Sequence, residues 1–252
     1  MLSELKPKNI SISSDYAHVC RAVASRIADL VRAKPGAVLG LATGSSPLGV
    51  YAELIRMHRE EGLDFSRVTS FNLDEYYPMS ASSEHSYHAF MEANLFSQIN
   101  IGRWYVPDGR SRGMQEILLD CRRYEERIAD TGGLDLQLLG IGRTGHVGFN
   151  EPGSPRDSRT RLVTLHEVTR VDAAPGFGGL DQVPHQAVSM GIATIMDARE
   201  IVMMASGAGK AEIVRRALEG EETEQVPATL IRRHANARFY FDTDAARLLS
   251  AP

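Results

Sequence analysis

Short, mostly apolar runs, each followed by a turn and then by a segment of helical periodicity, most constrain how this chain can fold. A run such as 37–42, which has almost no polar residue, is typical of a strand covered on both faces in a parallel sheet. The segment before it has apolar residues at helical spacing, and Ser14 is placed to cap that helix. Because predicted strands and helices alternate throughout, we expect one α/β domain with a doubly wound, mostly parallel sheet flanked by helices. The predicted strands are 37–42, 68–73, 135–139, 200–205 and 237–241.

The composition limits the size, location and partners of the protein. A chain of 252 residues with 43% hydrophobic content can bury a substantial core in a single domain spanning 1–252. Its net charge of -4 argues against broad nucleic-acid binding through charge alone. No apolar run has the length of a membrane span or the form of a signal peptide. The two cysteines, Cys20 and Cys121, fit no close-spaced metal or redox pattern. We therefore expect a cytoplasmic protein with no nucleic-acid or membrane partner.

The stretch 138–152, with the sequence LLGIGRTGHVGFNEP, joins a predicted buried strand to a glycine-rich turn. Glycine costs conformational entropy, so its density here suggests unusual backbone dihedrals or close approach of another group. The turn contains an imidazole, His146, and a carboxylate, Glu151. Since open α/β sheets bind ligands beyond the carboxyl ends of their strands, these residues are candidates for proton transfer. The alternative is a glycine-rich connection whose histidine only faces water.

A second candidate site follows the strand 37–42 and consists of Thr43, Gly44, Ser45 and Ser46. We expect Ser46 to cap the next helix and Pro47 to be its first residue. Hydroxyl groups and unpaired amides at a helix N-terminus suit a phosphate, although an ordinary capped turn has the same residues. Lys210 also begins a helix after a strand, without the pattern of a P-loop, and is placed to meet a phosphate.

Two adjacent carboxylates, Asp74 and Glu75, follow the strand 68–73. In an extended segment they point in opposite directions, so at most one should face a ligand, and the sequence does not choose between them. Farther along, 172–182 is rich in glycine and poor in apolar residues. That composition fits an active-site lid within 161–190, and it also fits a plain surface loop.

Seven blocks of sequence resemble one known family and occur in the order in which that family has them. The blocks are LGLATGSSP at 39–47, SFNLDEYY at 70–77, SYHAFM at 86–91, GIGRTGHVGFNEPGS at 140–154, SRTR at 158–161, TRV at 169–171 and SGAGKA at 206–211. Together they resemble the glucosamine-6-phosphate deaminases, also called glucosamine-6-phosphate isomerases. The resemblance implies a Rossmann-like fold, no metal or organic cofactor, and conversion of the phosphosugar glucosamine 6-phosphate to fructose 6-phosphate and ammonia.

The same resemblance implies roles for individual residues. Asp74 matches the general base that moves a proton between C2 and C1 of the opened sugar. His146 matches the acid–base residue that opens the ring at O5, and Glu151 matches the carboxylate that orients and tunes it. The family's phosphate-binding positions correspond to Thr43, Gly44, Ser45, Ser46, Arg170 and Lys210.

One departure from the family pattern lies beside the catalytic histidine. Thr144 stands where the family usually has an aspartate that contacts the imidazole. A hydroxyl group can hydrogen-bond to the ring but cannot stabilise imidazolium as a carboxylate does. His146 should therefore depend more on Glu151, and we expect an altered rate and pH optimum.

A second departure concerns regulation and assembly. Ser154 and Arg161 match positions that bind an anionic effector in allosteric members, but Val163 replaces a lysine there. Loss of that cation should weaken effector binding, so we expect little or no allosteric activation. Family members range from monomers to hexamers, and a homo-oligomer is therefore possible.

Three other functions are compatible with parts of the pattern. The 6-phosphogluconolactonases share the fold and the histidine loop, but they have a Thr-Ala-Ser-Leu-Phe type sequence after the histidine where this chain has VGFNEP. A non-catalytic sugar-phosphate sensor would have a DNA-binding head, which we do not expect here, and would not need Asp74, His146 and Glu151. An isomerase acting on a different amino sugar, such as the C4 epimer, is not separated from the first hypothesis by sequence.

Overall fold

Ten strands and nine helices make up the described part of the chain, residues 9–110 and 113–250 of the computed structural model. The strands are β1 (Ile10–Ser13), β2 (Val38–Leu41), β3 (Thr69–Asn72), β4 (Asp74–Tyr77), β5 (Arg103–Tyr105), β6 (Leu136–Leu139), β7 (Arg161–Thr164), β8 (Gln186–Ser189), β9 (Ile201–Ala205) and β10 (Ala237–Asp242). The helices are α1 (Tyr16–Ala33), α2 (Leu48–Glu61), α3 (Tyr87–Asn94), α4 (Met114–Asp130), α5 (Glu167–Phe177), α6 (Ile192–Met196), α7 (Ala211–Glu219), α8 (Ala228–Ile231) and α9 (Thr243–Ala246).

The main sheet has seven strands in the order β1-β10-β9-β6-β2-β3-β5, and every neighbouring pair is parallel. Helices cover both faces, as β9 shows: Ile201 and Met203 pack into one hydrophobic cluster, and Val202 and Met204 pack into the other. This two-sided burial is why the central strands are mostly apolar; the buried polar residues Ser70, Asn72 and Gln137 are the exceptions in β3 and β6. The predicted α/β class and mostly parallel sheet are therefore confirmed. The edge strands β1 and β5 were not predicted, because their sequences are too short and too polar to be recognised as strands.

A second sheet, of three antiparallel strands in the order β4-β8-β7, lies beyond the main one and has no counterpart in the sequence predictions. Only Leu73 separates β3 from β4, so the chain passes directly from one sheet to the other. The segment 161–190 forms β7, α5 and β8 of this region. Its residues 172–177, which we expected to be a loop, are the second half of α5. Closure of the segment over a ligand stays a prediction.

Two helix starts differ from the sequence prediction. The cap of α1 is Asp15 and not Ser14, because the Asp15 side chain accepts a hydrogen bond from the His18 N–H at 2.9 Å. Pro47 itself is the capping position of α2, which begins at the next residue without a capping side chain among the described residues. Ser46 is therefore not the cap, and it lines the cavity described below.

In the described part of the chain, no helix combines the length and the apolar character that crossing a membrane would need.

Candidate active site

A cleft of about 300 Å³ opens beyond the carboxyl ends of β2, β3 and β6. This volume is at the lower end of the range for small-molecule sites. The segments that leave these strands line the cleft, and the start of α7 and one face of α5 complete it. The lining includes most of the residues named from sequence: Thr43, Gly44, Ser45, Ser46, Asp74, His146 and Lys210.

The imidazole of His146 is held from one side by three residues. Its Nδ1 lies 2.9 Å from Thr144 Oγ1, 3.3 Å from Thr169 Oγ1 and 3.3 Å from Glu151 Oε2. The ring also packs against Gly142, where a Cβ atom would lie only 2.1 Å from the imidazole. A glycine is therefore needed at 142 because the imidazole occupies the space of a side chain.

Glu151 is almost fully buried, with 8% of its surface exposed, and lies behind the imidazole. Its Oε1 accepts a hydrogen bond from the His166 N–H at 3.2 Å, and Thr144 Oγ1 lies 3.4 Å from its Oε2. Burial raises the pKa of Glu151, but hydrogen bonding and charge from His146 outweigh it and leave that pKa below its usual value. An ionised Glu151 can orient the imidazole and stabilise its protonated form.

Asp74 contributes a carboxyl group to the cleft and is only 4% exposed. Burial raises its pKa to about 8, the neighbouring Glu75 charge adds to the rise, and the Phe149 N–H opposes it. The Asp74 carboxyl also lies close to the backbone of Gly148, which has φ +55°, and a Cβ there would come within 3.2 Å of Asp74 Oδ2. Asp74 is thus a desolvated carboxyl group with the basicity of a proton acceptor.

The adjacent carboxylate, Glu75, points away from the cleft, as alternation along a strand requires. It accepts hydrogen bonds from the N–H groups of Tyr87 and His88 at the start of α3, at 2.9 and 3.0 Å, and from the Tyr76 N–H at 2.9 Å. Burial raises the pKa of Glu75 to about 7, although these three N–H groups lower it. Glu75 is a structural residue, and the choice that the sequence left open falls on Asp74.

A further part of the cleft lining is suited to an anion. The turn Thr43 to Ser46 connects β2 to α2, and Gly44 has φ +85°, a left-handed conformation that favours glycine. Lys210 also lines the cleft, and its Nζ donates to the Ile141 carbonyl oxygen at 2.8 Å. Backbone amides, hydroxyl groups and an ammonium group are donors that suit a phosphate.

The structure does not bring Arg170 into this arrangement. Its guanidinium donates to the carbonyl oxygens of Leu180 and Val183, at 3.0 and 3.1 Å, and the residue is not part of the cleft lining. Arg170 lies on α5, where the side chains that face the cleft are those of Thr169, Asp172 and Ala173. In this structure Arg170 contacts the chain that follows α5, and its role in phosphate binding stays a prediction.

Several cleft residues were not found from the sequence. Tyr76, Tyr87 and Phe149 form an aromatic wall, with ring centroids 4.9 to 5.9 Å apart. Thr169 and Asp172 enter the cleft from α5, a helix whose residues 172–177 were not predicted to be helical. The two tyrosines lie in the blocks SFNLDEYY and SYHAFM, so their place in these family blocks was the sequence signal that could have identified them as cleft residues.

Within residues 9–110 and 113–250, no three His, Cys, Asp or Glu side chains cluster as a metal site would require.

Comparisons with known proteins agree with this geometry. Residues 13–240 match the family model described as glucosamine-6-phosphate isomerases/6-phosphogluconolactonase. Glucosamine-6-phosphate deaminase 2 of Giardia intestinalis is 50% identical over 247 residues, covering 96% of this chain and 92% of the relative. Glucosamine-6-phosphate deaminase of Clostridium perfringens is 44% identical over 240 residues, covering 94% of this chain and 98% of the relative.

Solved structures extend the comparison to the fold. A monomeric glucosamine-6-phosphate deaminase matches with a TM-score of 0.92 at 42% identity, covering 95% of this chain and 99% of that one. A 6-phosphogluconolactonase from Trypanosoma brucei matches with a TM-score of 0.78 at 21% identity, covering 98% and 100%, which shows the shared fold alone. With its cleft, its sequence blocks and a family model all in agreement, the chain belongs to the family of glucosamine-6-phosphate isomerases and 6-phosphogluconolactonases.

Proposed function

We propose that this protein is a glucosamine-6-phosphate deaminase, which converts glucosamine 6-phosphate and water to fructose 6-phosphate and ammonia. The observation that carries the proposal is the convergence on one cleft of a buried carboxyl group, an imidazole supported by a carboxylate, and an anion-binding turn with a lysine. The relatives that carry this enzyme's name are 44% and 50% identical over more than nine-tenths of the chain, which supports the deaminase over the lactonase.

His146 would open the pyranose ring. Thr144, Thr169 and Glu151 all contact Nδ1, which leaves Nε2 as the nitrogen that can protonate the ring oxygen O5. Nε2 takes the proton of the O1 hydroxyl and then gives it to O5 as the C1–O5 bond breaks, which leaves the open aldehyde. Glu151 stabilises the imidazolium form of His146 between the two proton transfers.

Asp74 would move the proton that isomerises the sugar. Its carboxylate takes the proton from C2 while O1 takes a proton from the ammonium group of the substrate, which gives an enolamine. The resulting acid then returns the C2 proton to C1 to give a protonated 2-imino sugar phosphate. Water adds to C2 of the imine, and ammonia leaves as fructose 6-phosphate forms. The raised pKa of Asp74, about 8, makes it a stronger base than an exposed carboxylate.

The turn Thr43 to Ser46 and Lys210, which also line the cleft, would hold the 6-phosphate. Fixing the phosphate places C1 and C2 at the carboxyl group of Asp74, so that proton transfer takes place within one bound complex. The aromatic wall of Tyr76, Tyr87 and Phe149 limits the water that reaches the carboxyl group.

The experiment that tests the proposal measures ammonia release from glucosamine 6-phosphate and galactosamine 6-phosphate, and hydrolysis of 6-phosphogluconolactone, with one protein preparation. We expect ammonia and fructose 6-phosphate from glucosamine 6-phosphate and no lactone hydrolysis. Lactone hydrolysis alone would identify a lactonase, and phosphosugar binding without turnover would identify a sensor. Ammonia from galactosamine 6-phosphate alone would move the proposal to the epimeric substrate.

We also propose that the protein is cytoplasmic, and we name an experiment for its oligomeric state. Cys20 and Cys121 are both unpaired and buried, which fits a reducing compartment. Light scattering on the purified protein distinguishes a monomer, as described for the solved relative, from a homo-oligomer.

A further inference from the structure

Helix α5 is held against the body of the protein by a polar side chain. Within this helix, whose residues are all described, only Thr169 is buried, with 6% of its surface exposed. A surface helix normally docks through an apolar stripe, because burial of apolar side chains supplies most of the stabilisation. The most deeply buried side chain of α5 carries a hydroxyl group instead, and it faces the imidazole of His146. Its contacts therefore bear on the chemistry of the cleft as well as on packing.

Thr169 contacts both members of the acid–base pair, His146 and Glu151. Its Oγ1 lies 3.3 Å from His146 Nδ1, and its hydroxyl group also hydrogen-bonds to the Glu151 carboxylate. One hydroxyl group can do both, because its oxygen accepts from an N–H at Nδ1 while its own hydrogen points to the carboxylate. Thr144, two residues before the histidine, makes the same two contacts at 2.9 and 3.4 Å. Two hydroxyl groups thus bridge the pair, one next to the histidine in sequence and one from α5.

A second contact joins the start of α5 to the same carboxylate. His166, the capping residue of α5, donates its backbone N–H to Glu151 Oε1 at 3.2 Å. The other carboxylate oxygen, Oε2, lies 3.3 Å from His146 Nδ1. Glu151 therefore stands between α5 and the imidazole, with one oxygen directed to each. Since Thr169 lies about one turn beyond His166, two successive points of α5 contact the acid–base pair.

We propose that Thr169 is a positioning residue, whose hydroxyl group fixes the Nδ1 side of His146 and makes the geometry for ring opening depend on the docking of α5. With α5 docked, three oxygens surround Nδ1, so the imidazole keeps a proton there and presents Nε2 to the sugar. Without that docking, Nδ1 loses Thr169, and Glu151 loses the donors of Thr169 and His166. This inference rests on the proposed function for the reaction, but the docking of α5 on the pair is measurable without turnover.

The first test measures kcat and KM for glucosamine 6-phosphate in Thr169→Val, Thr169→Ser, Glu151→Gln and the double variant of Thr169→Val with Glu151→Gln. Valine has the shape of threonine without the hydroxyl group, and serine keeps the hydroxyl group. Thr194→Val is the matched control. Thr194 is also a buried helical threonine, 3% exposed, and it donates to a glutamate, Glu125, at 2.6 Å, outside the lining of the cleft.

We expect Thr169→Val to lower kcat about five- to tenfold and to change KM less than about twofold, because the lost hydrogen bond orients the imidazole and does not hold the phosphosugar. Thr169→Ser should restore most of the wild-type kcat. In the Glu151→Gln background, Thr169→Val should lower kcat by about twofold or less, because it acts through a pair that is already disrupted. Thr194→Val should leave kcat and KM unchanged.

The second test measures amide hydrogen exchange in α5 of the substrate-free protein. Exchange should be faster in Thr169→Val and in Glu151→Gln than in the wild type, because each variant removes a contact that docks the helix. Thr169→Ser should exchange at nearly the wild-type rate, and Thr194→Val should leave exchange in α5 unchanged.

The inference fails if Thr169→Val has the wild-type kcat, or if it lowers kcat by the same factor with and without the Glu151 carboxylate. It also fails if Thr169→Ser restores nothing, since the methyl group would then be what matters. Exchange in α5 that is unchanged in both Thr169→Val and Glu151→Gln would show that the helix does not dock on the pair. If exchange follows the expected pattern but no ammonia is released, the proposed function is refuted and the docking role of Thr169 is still supported.

Discussion

At the scale of single residues, Asp74 is the proposed general base, so its protonation should set the pH dependence of the activity. Burial raises its pKa to about 8 in the empty protein, and only the ionised form can accept a proton from C2. We therefore expect kcat/KM to rise with pH through about 8.

Asp74→Asn should retain phosphate binding and lose exchange of the C2 proton in deuterated water. Exchange at the wild-type rate in that variant would show that another group is the base.

The same residue should reduce stability. The folded pKa of Asp74, about 8, lies above the ordinary value of 3.8, so between these values the native state keeps a proton that the unfolded chain has lost. The free energy of unfolding contributed by this group therefore falls as pH rises through that window, and the full loss is present above about pH 8. Asp74→Asn should raise Tm, and by more at pH 9 than at pH 5. An equal change in Tm at both values would contradict this.

Thr144 lies 2.9 Å from His146 Nδ1, so a carboxylate introduced at this position should reach the ring. We expect Thr144→Asp to extend the activity to higher pH, because the added charge stabilises the imidazolium form that protonates O5. Thr144→Asn is the control of matched size without the charge. Identical upper pH limits for the two variants would mean that the introduced carboxylate does not act on the imidazole.

At the scale of elements, the histidine loop depends on glycine for space at position 142. A Cβ at Gly142 would lie 2.1 Å from the imidazole, so Gly142→Ala must displace the ring of His146. We expect kcat to fall at least about a hundredfold, since misplacement of a catalytic group by about 1 Å has effects of this size. Gly36→Ala is the control, because a Cβ there would meet nothing within 4 Å. Normal kcat in Gly142→Ala would require a different catalytic position for the imidazole.

At the scale of the whole molecule, helix α5 is much less buried than the centre of the main sheet. Every residue of β9 is buried in the main sheet, whereas Thr169 is the one buried residue of α5 beside the small sheet. Amide hydrogens of α5 should therefore exchange faster than those of β9, because local opening of α5 exposes little apolar surface. Inorganic phosphate or the substrate should slow exchange in 161–190 if this segment closes. Exchange in α5 that is unaffected by either ligand would show that it is no lid.

Local sequence patterns were enough to predict where along the chain the central strands lie and which chemical groups follow them. A strand buried on both faces is mostly apolar, and the turns at its carboxyl end collect the polar groups. The positions of Asp74, His146 and the phosphate-binding turn followed from these patterns and from the family blocks.

The directions and partners of the long or alternating side chains depend on contacts between segments that lie far apart in sequence. The antiparallel pairing of β4 with β8 fixes which way Asp74 and Glu75 point, and the partner strand lies more than a hundred residues away. Arg170 donates to the carbonyl oxygens of Leu180 and Val183 after α5, and Arg143 pairs with Asp172 of α5. A flexible charged side chain takes the partners that folding brings within reach, and those partners are set by packing between distant segments, which no local pattern records.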